Sequence, residues 1–180
     1  MRFVDFLKMA VLLFAGAANA LALVTIIGAD VVADRALLFG AFGWWLVAAL
    51  AGGWAGRRPQ AFAGVRRLLA AARTSPALPE LEPGALLFNR LWALGAFTFA
   101  AGGVGFVFPE VSALAVGFPL MAALAIRRQA PAVQAVEERD GVRFYIDRTS
   151  ALRPTELLRT PGLKKWADER EPAREGEAAR

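Results

Sequence analysis

Most apolar residues along this chain neither alternate at the period of a strand nor recur at the period of a half-buried helix; they gather in four blocks. The blocks cover about residues 6–28, 36–56, 86–108 and 111–126. At ~1.5 Å rise per residue the first is long enough to cross a hydrocarbon layer of about 30 Å. Asp30, Asp34 and Arg35 separate the first two blocks, and Pro109 with Glu110 separates the last two. Proline ends a helix and a carboxylate is costly in lipid, so both connections read as turns at a membrane face. The pattern predicts an all-α membrane protein, a four-transmembrane-helix bundle of two hairpins over residues 1–128, with a connecting loop at 57–85.

Polar and small residues inside the blocks carry further expectations. Lys8 lies near enough to an end to snorkel, whereas Asn19 sits near mid-depth and calls for an interhelical partner. Gly52 and Gly56 form a small-xxx-small pair that lets a neighbouring backbone approach. Trp54 suits an interfacial belt, and Trp44 and Trp45 fall where they would pack inside the bundle. Pro119 should kink the fourth span, and Gly102, Gly103 and Gly105 should loosen the third. The first block has a second reading, a secretory signal whose A-x-A cleavage site is formed by Ala18 and Ala20. Its apolar run, however, continues from Leu21 to Ile27.

Charge orients the bundle. Place both chain ends and the connection from Arg57 to Arg90 on one side, and that side holds all but one of the 21 Lys and Arg residues; the exception is Arg35. Positive charge in short loops stays cytoplasmic, so both termini are expected there, in a plasma membrane, as a multi-pass protein. Within the loop, Phe62, Val65, Leu68, Leu69 and Ala72 share a helical arc beside Arg66, Arg67 and Arg73. That pattern predicts an amphipathic surface helix with its apolar face in the acyl chains. Arg57, Arg58, Arg66, Arg67 and Arg73 would then meet anionic inner-leaflet lipids.

Beyond residue 129 charges become dense. Val142, Phe144 and Ile146 alternate with Arg143, Tyr145 and Asp147, and Asp140-Gly141 has the chemistry of a two-residue turn. The expectation is a cytoplasmic tail over 129–165 with a β-hairpin around 133–147, followed by a disordered segment, 166–180. Arg143, Tyr145, Arg148, Arg153 and Arg159 are the tail's candidate interaction residues.

Composition narrows the chemistry. The chain has no Cys and no His, which removes thiol nucleophiles, Cys/His zinc sites, histidine haem ligands and histidine general bases. No catalytic, cofactor or metal residue set emerges, and the net charge of +5 is assigned to lipid and topology and not to nucleic acid. Ala, Arg, Gly, Leu and Val dominate, an association with GC-rich bacterial genomes. The expected function is a non-enzymatic membrane anchor presenting a basic tail to a cytoplasmic protein or to a second copy. Two alternatives stay open: a small transporter or channel subunit, and an enzyme acting on lipid headgroups.

Overall fold

The computed structural model describes residues 1–32, 35–74, 83–146 and 157–161. In chain order the elements are α1 (Phe3–Val32), α2 (Arg35–Ala55), α3 (Pro59–Ala70), β1 (Arg73–Thr74), α4 (Pro83–Gly105), α5 (Pro109–Ala115), α6 (Gly117–Ile126), α7 (Gln129–Asp140), β2 (Val142–Ile146) and β3 (Leu157–Pro161). Four helical stretches are long and apolar enough to cross a membrane: α1, α2, α4 and the run from Pro109 to Asp140. At 30 residues, α1 is about 45 Å long, longer than its apolar block required.

Helix α1 is the hub. It packs against α2, α4, α5 and α6, while α2 packs on α6 and α4 on α5. The buried residues at mid-bundle are mostly small, with Ala18 and Leu21 of α1 meeting Ala101, Ala115 and Val116. Small side chains let the backbones approach and gain dispersion contact along the helices. Pro109 opens α5 at a position where a missing N–H costs nothing. Pro119 has no N–H to give the Ala115 carbonyl four residues earlier, and the helix is interrupted at Val116. Helix α4, by contrast, runs unbroken through Gly102 and Gly103 to Gly105, so these glycines do not loosen it.

At one end the bundle carries a folded cap. Strand β3 pairs parallel with β1 and antiparallel with β2, giving the order β1-β3-β2. The start of the chain lengthens this sheet: Arg2 bridges to Tyr145, and the Ile146 N–H donates to the Met1 carbonyl at 3.2 Å. Val142, Phe144 and Ile146 point into a core shared with Leu157 of β3 and with Phe3, Val4 and Leu7 at the start of α1. Val65 of α3 and Ala130 and Val133 of α7 complete it.

The cap corrects two expectations. Residues 133–139 are not the partner of β2; they belong to helix α7, and the partner is β3. Gly141, at φ 60°, ends α7 in the left-handed region instead of turning a hairpin. The apolar arc of α3 is real but does not face outward. Val65 is buried, with Leu68, Leu69 and Ala72 against the cap core, so protein takes the place assigned to acyl chains.

Candidate functional site

Polar chemistry concentrates in the cap. Glu137 is 6% exposed and accepts twice: from the Arg2 guanidinium at 2.8 Å and from the Phe144 N–H at 3.0 Å. One carboxylate thus joins the first residues, α7 and β2, and a buried charge needs such pairing to persist. The Glu137 hydrogen bond raises the Arg2 guanidinium above its ordinary value, against the opposing effect of burial. A raised cationic group contributes stability below its unfolded pKa and loses it only as pH rises past the folded one, so the Arg2 side of this link stays charged throughout the physiological range.

Around that core stand exposed cations. Arg57 and Arg58 occupy the corner between α2 and α3, with the Arg58 guanidinium 3.5 Å above the Trp54 ring. This is a cation–π contact beside a largely uncovered indole. Arg66 and Arg67 line the outer side of α3, Arg73 is exposed on β1 and Arg143 on β2. Arg159 is half-exposed on β3, in register with Phe144, and Tyr145 is half-buried where Arg2 meets it. Arg148, Arg153 and the segment 166–180 lie outside the described residues. Arg127 and Arg128, absent from the sequence-derived candidates, are exposed at the corner between α6 and α7. Their doublet was visible in the chain; that it adjoins Arg57-Arg58 depends on which helices pack together.

Several polar groups within the four apolar helical stretches are engaged in hydrogen bonds. The Asn19 amide donates to the Ala15 carbonyl of its own helix at 2.8 Å, so the expected interhelical partner is replaced by an intrahelical one. Thr25 and Ser112 are 0% exposed, their hydroxyls 2.9 Å apart. They also reach the carbonyls of Leu21 at 2.9 Å and Pro109 at 3.0 Å, so two protons serve three contacts. Trp45 and Trp44 donate their indole N–H groups to the successive carbonyls of Ala113 and Leu114, at 2.9 and 3.0 Å, beside the interruption at Val116. Gly117 makes room for this latch, since a methyl there would stand 2.5 Å from the Trp44 indole nitrogen. Gly52 and Gly56 lie against the backbones of Met121 and Ala125.

Among the described residues, grooves open on the sides of the bundle. One, of about 700 Å³, runs between Leu13 and the α4 residues from Gly84 to Phe99, and its only side-chain hydroxyl, Thr98, already donates to Leu94. Another, of about 230 Å³, lies between α2 and α5, with Glu110 as its single charged lining residue. Acid–base catalysis needs paired groups converging on one substrate position, and neither groove offers them. Among the described residues no three acidic side chains gather as metal ligands would. No family model, curated protein or solved structure matches this chain.

Proposed function

We propose that the protein is a membrane-embedded, non-enzymatic interaction module, its capped end in the cytoplasm of a bacterial cell and its cationic surface offered to a partner. The observation that carries this reading is the cap itself. Segments from both ends of the chain and from the central loop build one apolar core, locked by Glu137, and leave Arg66, Arg67 and Arg143 outside. A chain whose apolar helices alone were needed would have no use for such a platform. Excess Arg and Lys at that end favours the cytoplasmic side.

The test must spare the core. Deleting the chain from Arg139 would remove Val142, Phe144, Ile146 and Leu157 and so unfold the cap. Charge reversal at exposed positions is cleaner: Arg66→Glu with Arg67→Glu, and separately Arg143→Glu. Proximity cross-linking in cells should then lose a discrete set of partners by about tenfold, with cap folding unchanged. Identical partner sets for wild type and both variants would overturn the proposal.

A further inference from the structure

Helices α2 and α6 run parallel and in register. Gly52 faces Met121 and Gly56 faces Ala125, so four residues along one helix match four along the other. At Gly56 the approach is at backbone distance: a methyl there would stand 3.0 Å from the carbonyl oxygens of Leu124 and Ala125. Both helices end within two residues of that contact, and each is followed by an arginine doublet, Arg57-Arg58 and Arg127-Arg128. Chain geometry therefore holds the Cα atoms of Arg57 and Arg127 within about 14 Å. All four side chains are exposed.

This convergence is electrostatically unbalanced. Each helix C-terminus offers about half a negative charge, against four full positive charges. The ion pairs described, Arg2–Glu137 and Arg139–Asp140, use none of the four arginines. Arg58 alone is oriented, by stacking over Trp54, an indole suited to the depth at which headgroups meet hydrocarbon.

We infer that the two doublets form a binding site for the phosphodiester headgroup of an anionic phospholipid. The site rests on the proposed membrane placement, since a headgroup reaches these corners only if α2 and α6 cross the bilayer. Guanidinium forks match phosphate oxygens, and two forks from each helix end would grip one headgroup while its acyl chains lie along the apolar surface below. The small contact at Gly52 and Gly56 thereby acquires a second purpose, because it sets the spacing of the charges.

The full-length protein in detergent is titrated with phosphatidylglycerol, and retained lipid is counted by native mass spectrometry. Arg127→Gln with Arg128→Gln should lower retention about 30-fold, at roughly a factor of five for each guanidinium removed, and Arg57→Gln with Arg58→Gln should do the same. Arg66→Gln with Arg67→Gln, on the outer side of α3, should change it less than threefold. Equal losses in all three would show diffuse attraction and overturn the site, as would full retention in the doublet variants. Soluble glycerophosphate at equal concentration should not compete; if it does, the ligand is free phosphate and the lipid assignment fails. Circular dichroism confirms that each variant is folded. Orientation is tested apart, by an impermeant thiol reagent on Gln134→Cys in this otherwise cysteine-free chain. Labelling from outside the cell would refute the cytoplasmic cap without touching the lipid result.

Discussion

Helices α2 and α4 are both rich in glycine, yet their close contacts fall in different places. Helix α2 meets α6 at Gly52, while α4 is tightly packed only at its end, where a methyl on Gly105 would stand 2.6 Å from the Ser112 side chain. On α2, Gly52 meets the Met121 backbone so closely that an added methyl would lie 2.6 Å from a carbonyl oxygen. On α4, an added methyl at Gly84, Gly95 or Gly103 would meet nothing within 4 Å. Phe88 and Phe99 of α4 are 78% and 86% uncovered and the helix buries Ala101 and Gly105 near its end, whereas α2 buries Ala41, Ala48 and Gly52 along its length. The contrast teaches that a small-residue pattern grants permission for contact and does not choose a partner. Partner choice comes from what completes the fit, and α6 brings its carbonyl backbone and a position, Gly117, that seats the Trp44 indole.

A graded series of methyl additions puts that contrast to the test. Gly52→Ala should cost about 3 kcal/mol, because the obstacle is Met121 backbone that cannot rotate away. Gly56→Ala, with its nearest atoms at 3.0 Å, should cost about 1 kcal/mol as the neighbouring helix gives by tenths of an ångström. Gly103→Ala on α4 should leave the protein unharmed or stabilise it by about 0.5 kcal/mol, since helix propensity improves and nothing is displaced. Denaturation of the purified protein by SDS titration, followed by circular dichroism, ranks the three. A Gly103→Ala loss as large as that of Gly52→Ala would erase the distinction between the helices.

How much of this was legible beforehand depends on whether a feature is a property of single residues or of pairs. Hydropathy belongs to each residue separately, and the four apolar helical stretches follow the blocks that predicted them, to within a few residues at most ends. The turn at Pro109 and the interruption near Pro119 were equally local, since a missing N–H acts at a known distance along the helix. The cap was harder. Asp140-Gly141 suits a hairpin turn and a helix end alike, because both need the left-handed backbone that Gly141 adopts. Val133 and Val136, three apart, fit the helix that forms, and the strand was misassigned on the strength of that ambiguous dipeptide. Strand β3 carries Leu157 and Leu158 between prolines and shows little alternation, so its pairing with β2 is fixed by the core it closes. The α3 arc was visible, but periodicity cannot say whether lipid or protein will cover it. The Arg127-Arg128 doublet is likewise present in the chain, and its nearness to Arg57-Arg58 across the bundle is not.

The cap also has a consequence for how the molecule is made. Phe3, Val4 and Leu7 are synthesised well before the strands that cover them, Val142–Ile146 and Leu157–Pro161. Synthesis at about 5–20 residues per second leaves those early side chains waiting several seconds or longer. The cap core therefore closes late: a nascent polypeptide stalled before Leu157 would leave the side chains of Phe3, Val4 and Leu7 without the strand that seals them.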